Sequence, residues 1–248
     1  EPEIMNLIRM LQSMGAEIKS KNTERLIEIK GVKNLHGTTA LVMPDRNEIV
    51  SFAAAALATR GNVLVRTRET QKEDLSAFLE KVREAGGSYA FEPDGIRFIG
   101  SDSYRPLSIE TAPHPGFMTD WQQPFAVLLT QAEGTSTIHE TVYEDRFGYL
   151  KDLSRMGAEI EVNHSCSSPS CRYASGKFTH FAKIHGPTPL RGASIEMCDI
   201  RAGMAHIIAA LSAHNESRIS GVEHIDRGYE RLEERLREMG ADITRITI

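Results

Sequence analysis

Leu153-Ser-Arg-Met-Gly-Ala-Glu-Ile160 is one of four related blocks in this chain, and their spacing decides the fold. Similar blocks cover Leu11–Ile18 and Leu236–Ile243, and a more divergent copy covers Leu79–Tyr89. Repetition at a nearly constant period indicates one supersecondary unit that is used several times. Nothing resembling the first half of a unit precedes Glu1, so we expect the chain to be part of a longer protein. The aligned glycines of the four blocks are Gly15, Gly86, Gly157 and Gly240. Their successive spacings are 71, 71 and 83 residues.

The overall composition is that of an ordinary globular protein. A length of 248 residues allows one large domain or two small ones. The net charge of −5 provides no general attraction for nucleic acid, and no apolar stretch is long enough to span a bilayer. We therefore expect neither a nucleic-acid nor a membrane partner. Three cysteines do not make a disulfide framework, so we expect a cytoplasmic protein.

The segment from residue 38 to residue 100 shows the pattern of one unit best. Short apolar runs bounded by turn residues are typical of strands, and longer stretches with apolar residues at helical spacing are typical of helices. The predicted order is β-α-β-α-β-β. In chain order, the predicted elements are Thr39–Met43, Glu48–Thr59, Val63–Arg66, Gln71–Ala85, Tyr89–Phe91 and Ile96–Ile99.

Two further segments follow the same plan. Three such units, each with a sheet face to bury, can close around their helices into one domain. The third spacing is 12 residues longer, and the excess falls in Asn163–Phe181, where we expect a long hairpin or surface loop. The predicted strands are Leu107–Thr111, Ser136–Glu140, Ala193–Met197 and Ser217–Ile219, and the predicted helices are Gln122–Ala132, Asp145–Met156, Arg201–Ala213 and Tyr229–Met239.

Three aspartates, Asp45, Asp120 and Asp199, stand where helices are expected to begin. Capping of the first helical turn explains each of them about as well as a functional role does. The segment from Thr111 to Asp120 contains two prolines and His114, and it is longer than a cap requires. This length and stiffness favour a shaped binding loop.

Arginines recur near the expected helix starts, at Arg146, Arg201 and Arg227. An arginine there opposes the helix dipole, so its recurrence indicates a bound anion. Guanidinium and free backbone N–H groups together bind phosphate or carboxylate. The alternative is that Arg146 and Arg227 form surface ion pairs with the neighbouring Asp145 and Asp226.

His164, Cys166, Cys171 and His180 lie in the long third-unit segment and could be a zinc site. Their spacing is irregular and the segment is rich in serine, which favours a solvated loop over metal binding. Cys198 is expected to be a small buried residue. No glycine-rich phosphate loop is present, and we expect neither a metal ion nor a cofactor.

Five strings of residues are more specific than any spacing argument. They are Thr111-Ala-Pro-His-Pro-Gly-Phe-Met-Thr-Asp-Trp-Gln122, Glu144-Asp-Arg-Phe147, Arg155-Met-Gly-Ala158, Asp199-Ile-Arg-Ala-Gly203 and His224-Ile-Asp-Arg-Gly-Tyr-Glu-Arg231. Together they closely resemble the enolpyruvyl transferases that act on UDP-N-acetylglucosamine. The resemblance covers nearly the whole chain, except for the 12 additional residues. The sister family that acts on shikimate 3-phosphate shares the fold but lacks the first and last of these strings.

The resemblance implies an α/β fold in which repeated βαβαββ units close into inside-out α/β barrel domains. The family has two such three-unit domains, with the active site in the cleft between them. Residues 1–43 would be the tail of the first domain, and residues 44–248 would be the second. The family's proton donor and an early Lys-Asn pair belong to the missing N-terminal domain, so we expect this chain alone to be inactive.

The resemblance also implies a reaction: transfer of the enolpyruvyl group from phosphoenolpyruvate to the 3-hydroxyl of UDP-N-acetylglucosamine, with release of phosphate, for peptidoglycan synthesis. Asp120 would contact the sugar hydroxyl as candidate general base. Arg201 and Arg227 would hold the phosphate and carboxylate of phosphoenolpyruvate. The other implied substrate-binding residues are Val142, Arg146 and Asp199. Two other hypotheses stay open, namely a non-catalytic ligand-binding relative and a transferase for a different hydroxylated acceptor.

Overall fold

The computed structural model describes residues 1–21, 25–67, 72–166, 168 and 171–246. The chain divides into two compact units, Glu1–Pro44 and Asp45–Ile248. The smaller unit contains helix α1, Pro2–Ser13, and the antiparallel strands β1, Glu17–Lys21, and β2, Leu26–Lys30. The assignment of residues 1–43 to an earlier domain stays a prediction.

The predicted strand Thr39–Met43 is wrong. Its residues adopt no strand conformation, and the side chains of Leu41 and Val42 are 67% and 76% exposed. A strand requires a hydrogen-bonded neighbour, and among the described residues no strand pairs with this segment. The apolar composition of the segment predicts strand propensity, but it does not show whether a neighbouring strand pairs with the segment.

The larger unit contains most of the regular structure, and its fold is mixed α/β. Its helices are α2 Arg46–Ala58, α3 Ser76–Ala85, α4 Thr119–Leu129, α5 Gly148–Arg155, α6 Ile200–Ser212, α7 Glu223–Asp226 and α8 Leu232–Glu238. Its strands are β3 Asn62–Arg66, β4 Ser88–Glu92, β5 Gly95–Ile99, β6 Ser108–Glu110, β7 Gly134–His139, β8 Glu159–Asn163, β9 Phe181–Gly186, β10 Ser194–Glu196 and β11 Arg218–Ser220. Gln71, where the second helix was predicted to begin, lies outside the described residues.

The described strands of the larger unit form three separate sheets. Their orders are β3-β5-β4, β6-β7-β9-β8 and β10-β11. In the second sheet β6 and β7 are parallel, and β8 and β9 form the predicted long hairpin. The middle segment therefore has the predicted order β-α-β-α-β-β, whereas the first segment lacks its opening strand.

Three helices, α2, α4 and α6, pack against one another and form the core. Every residue of α2 from Ile49 to Ala58 is buried, as expected of a helix that is apolar on all sides. Its alanine side chains are small, so the neighbouring backbones can approach closely. Phe78 packs edge-to-face on Trp121 and Phe125, with ring centroids 6.1 and 5.6 Å apart. These ring contacts hold α4 against α3.

Several predicted helix ends differ from the structure. The helix predicted over Gln122–Ala132 is α4, which begins and ends three residues earlier. The helix predicted from Asp145 begins only at Gly148. The helix predicted over Tyr229–Met239 begins only at Leu232, as the short α8, directly after Arg231 at φ +48°. The side chain of Tyr229 is buried and its hydroxyl lies 2.7 Å from Ser51 Oγ, so packing overrides helical periodicity here.

Two of the three aspartates are helix caps. The carboxylates of Asp45 and Asp199 each accept hydrogen bonds from two backbone N–H groups, in the first turns of α2 and α6, at 2.7–3.4 Å. Asp120 lies inside the first turn of α4, and its side chain makes no cap hydrogen bond. The equivalence predicted for the three aspartates is therefore wrong for Asp120.

Replacing Asp45 with alanine is expected to lower the free energy of unfolding by about 1 kcal/mol, because two N–H groups of α2 lose their acceptor. Urea denaturation followed by circular dichroism measures the change. Asp45→Asn is the matched control, since asparagine caps helices about as well and should stay near wild type. Equal losses in the two variants would contradict capping as the role of Asp45.

None of the helices in the described ranges is long and apolar enough to cross a membrane.

Candidate functional site

Asp120 is the centre of a group of charged side chains at the start of α4. Arg146 Nη2 donates to Asp120 Oδ1 at 2.6 Å, and Arg201 Nε donates to Asp120 Oδ2 at 3.1 Å. The three side chains are between 18% and 25% exposed. Two guanidiniums share one carboxylate, so each has N–H donors that Asp120 does not occupy.

Arg146 has an unused donor at this site. Its Nε is buried and has no hydrogen-bond partner among the described residues. The guanidinium lies 4.9 Å from the ring centroid of Tyr143, which fixes its plane. A buried donor without an acceptor is costly, so a ligand oxygen here would be stabilised.

Arg201 is oriented from two directions. It is the second residue of α6, and the Asp199 cap of that helix accepts from its backbone N–H. Its Nη1 lies 3.4 Å from the hydroxyl of Tyr229. Burial opposes the charge of Arg201, but Tyr229 and Asp120 outweigh it and hold the pKa of Arg201 above its ordinary value. Arg201 is therefore a fixed cation.

Burial raises the pKa of the Tyr229 phenol, so this hydroxyl stays protonated near neutral pH.

The expected surface ion pairs are wrong. Arg146 pairs with Asp120, while Asp145 accepts hydrogen bonds from the backbone and hydroxyl of Thr179. Asp226 pairs with Arg245 through two hydrogen bonds of 2.6 and 2.9 Å. The free backbone N–H groups expected beside Arg201 are also occupied, since Asp199 accepts from them.

Arg227 does not join the Asp120 group within the described contacts. It follows α7, and its side chain is exposed. Tyr229, two residues further on, does reach the group through Arg201. The role of Arg227 at the site therefore stays a prediction.

Glu140 is a site residue that sequence reasoning missed. Its carboxylate is fully buried and accepts from five donors at 2.7–3.4 Å. Two donors are the backbone N–H groups of Val142 and Tyr143, so Glu140 shapes the loop that holds Val142. The remaining donors are the side chains of Thr111, Thr119 and Gln122. The available signal was a carboxylate at the end of the predicted strand Ser136–Glu140, since a charged side chain that is buried there requires hydrogen-bond partners.

Arg46 was missed as well. It is fully buried at the start of α2, and its guanidinium lies 5.7 Å from the Trp121 ring centroid. Nη1 donates to the Asp74 carbonyl at 3.3 Å and lies 3.3 Å from His114 Nδ1. Arg46 therefore anchors the predicted binding loop, through His114, to the first core helix.

The metal-binding side chains predicted in the long third-unit segment are brought together only in part. Cys166, Cys171 and His180 lie together with His139, which the sequence did not suggest, whereas His164 is not part of this group. His180 is fully buried. Cys198, which was expected to be buried, is exposed.

Comparison with known sequences identifies relatives of the whole chain. A family model described as EPSP synthase (3-phosphoshikimate 1-carboxyvinyltransferase) matches residues 1–236. Two UDP-N-acetylglucosamine 1-carboxyvinyltransferases, from Protochlamydia amoebophila and Chlamydia abortus, are 46% and 45% identical to this chain over 246 residues. These alignments cover 98% of this chain but 52% and 55% of the relatives, so the chain spans about half of their length.

Comparison with solved structures agrees at the level of the fold. The enolpyruvyl transferase NikO from Streptomyces tendae superposes with a TM-score of 0.82 at 23% identity, over 98% of this chain and 54% of that one. EPSP synthase from Acinetobacter baumannii gives a TM-score of 0.64 at 18% identity, over 96% of this chain and 55% of that one. Since the family model covers nearly the whole sequence, this chain belongs to the EPSP synthase (3-phosphoshikimate 1-carboxyvinyltransferase) family.

Proposed function

We propose that this chain is the C-terminal part of a two-domain enolpyruvyl transferase. The whole protein transfers the enolpyruvyl group of phosphoenolpyruvate to the 3-hydroxyl of UDP-N-acetylglucosamine and releases phosphate, a step in peptidoglycan synthesis. The chain supplies one side of the cleft and is inactive alone. In this proposal residues 44–248 form one inside-out α/β barrel, and residues 1–43 belong to the preceding domain.

The observation that carries the proposal is the pair of guanidiniums on Asp120. Both substrates are anionic, and the second donor of Arg146 is buried without an acceptor in the described residues. Two guanidiniums held in fixed positions by one carboxylate are suited to the phosphate and carboxylate of phosphoenolpyruvate. The 46% identity to the Protochlamydia amoebophila relative supports the choice of this reaction.

Each residue has a defined role in the proposal. Asp120 accepts a hydrogen bond from the sugar 3-hydroxyl and acts as candidate general base. Arg201 and Arg227 bind the phosphate and carboxylate of phosphoenolpyruvate. Arg146 and Asp199 shape the cleft, the latter by capping α6, and Val142 contacts the nucleotide sugar from the loop held by Glu140.

The acceptor has one specific competitor. The matching family model is described by its action on 3-phosphoshikimate, so an acceptor other than UDP-N-acetylglucosamine is the second candidate. Both reactions release phosphate from phosphoenolpyruvate, and they differ only in the hydroxyl that attacks.

A phosphate-release assay on the two-domain protein decides between these acceptors. We expect phosphate release from phosphoenolpyruvate with UDP-N-acetylglucosamine and none above background with shikimate 3-phosphate. The 248-residue chain, assayed alone, serves as the control and should release none. Release only with shikimate 3-phosphate would select the second candidate, and release with neither would indicate a non-catalytic relative.

A further inference from the structure

Four side chains with metal-binding atoms converge at the end of β7. His139 ends that strand, His180 directly precedes β9, and Cys166 and Cys171 lie in the β8–β9 connection. One donor atom from each lies within 4.8 Å of all the others. Two imidazole nitrogens and two sulfurs are the ligand set of tetrahedral structural zinc sites. We propose that these four side chains bind one Zn²⁺ ion.

Both histidines are oriented as zinc ligands require. His139 Nδ1 lies 2.9 Å from Glu110 Oε2, and His180 Nδ1 lies 2.9 Å from the carbonyl oxygen of Phe178. When Nδ1–H donates to its acceptor, the lone pair of Nε2 is available to a metal ion. A carboxylate or carbonyl behind each imidazole is the usual outer shell of a zinc site.

The buried nitrogen of His180 is the clearest sign of a ligand. His180 is 0% exposed, and its Nε2 has no hydrogen-bond partner in the described part of the chain. A buried polar atom of this kind normally has a partner, and a metal ion at the cluster would supply it. The 7% exposure of His139 indicates that the same ion would be shielded from water.

The sulfur of Cys171 is already near ligand geometry. It lies 3.3 Å from His139 Nε2 and accepts the backbone N–H of Tyr173 at 3.4 Å. Tetrahedral zinc, with bonds of about 2.0–2.1 Å to nitrogen and 2.3 Å to sulfur, places its ligand atoms about 3.3–3.8 Å apart. The widest separation, within 4.8 Å, therefore needs a contraction of about 1 Å. Side-chain rotation of the two partly buried cysteines can supply it.

A zinc ion accounts for the long β8–β9 connection. Residues 164–180 join two paired strands, and connections of this length normally need their own stabilisation. Four protein ligands leave no open coordination position, so the site is structural. Binding releases the two thiol protons to solvent, and two thiolates neutralise the charge of the ion.

The ion would also stabilise the neighbouring loop. Arg172, next to Cys171, donates to the Val142 carbonyl at 3.2 Å. Thr179, next to His180, donates to the Asp145 carboxylate through its hydroxyl at 3.3 Å. The cluster thus holds the connection against the segment that carries Val142 and Arg146.

Metal analysis of the untagged 248-residue chain tests the proposal. We expect about one equivalent of zinc after dialysis, and X-ray absorption should show two sulfur ligands near 2.3 Å and two nitrogen ligands near 2.0–2.1 Å. Cys166→Ser with Cys171→Ser, and separately His180→Ala, should reduce zinc at least about tenfold. His164→Ala and Cys198→Ser are matched controls outside the cluster and should retain it.

Three outcomes would overturn the zinc site. They are less than about a fifth of an equivalent of zinc in the wild-type chain purified with zinc present, full zinc retention in the double serine variant, and a Cys166–Cys171 disulfide in the freshly purified chain by mass spectrometry. The absorption measurement uses the wild-type chain, so it stays decisive if a variant fails to fold.

Discussion

Replacing Arg201 with alanine in the two-domain protein is expected to lower kcat/KM for phosphoenolpyruvate by about 10²–10³-fold. Arg201 is held by Asp120 and the Asp199 cap, so its charge needs no reorganisation when negative charge develops on the substrate. Phosphate release at varied phosphoenolpyruvate concentration measures the loss. Arg201→Lys should recover only part of it, because an ammonium cannot reproduce the planar, two-nitrogen contact geometry.

The matched control is Arg218→Ala. The side chain of Arg218 is 81% exposed and, among the described residues, forms its ion pair with Glu216 on the surface, so its loss should leave kcat/KM within about twofold. Activity of the Arg201→Ala variant within about threefold of wild type would remove Arg201 from the proposed site.

Replacing Glu140 with alanine is expected to lower the free energy of unfolding by about 3–5 kcal/mol. Five donors lose a buried acceptor at once, and two of them are backbone groups of the Val142 loop. Chemical denaturation of the 248-residue chain measures the change. Glu140→Gln keeps the shape and one acceptor oxygen, so it should lose less than half as much.

Glu133→Ala is the control for this substitution. Glu133 is exposed just before β7, and its replacement should change stability by less than about 0.5 kcal/mol. Similar stability of the Glu140→Ala and Glu133→Ala variants would show that the hydrogen-bond network around Glu140 does not hold the loop.

The positions of the core helices could be predicted from the sequence, because burial and helical spacing are local properties. Glu48–Thr59 predicts α2 closely, and Asp45 and Asp199 were recognised as possible caps. The predicted ends of helices and strands were less accurate where tertiary packing decides them. At Tyr229, for example, a helix was predicted but the buried side chain bonds to Ser51.

The site could be predicted only in part, since its geometry depends on distant residues. The arginines on Asp120 come from 26 and 81 positions further along the chain. Spacing identified both as unusual but paired Arg146 with its neighbour Asp145. His139 joined the cysteine cluster only through strand pairing, since Phe181 lies opposite it in the sheet.

The hydrogen bond between Ser51 and Tyr229 has a consequence for biosynthesis. It joins residues 178 positions apart, in the first core helix and in the segment after α7. Contacts of such long sequence separation form late, because a long loop must close first. On the ribosome, α4 can cover one face of α2 early, but the part of α2 around Ser51 stays uncovered until the segment after α7 has emerged. During that interval, the nascent protein depends on chaperones more than a chain with local contacts does.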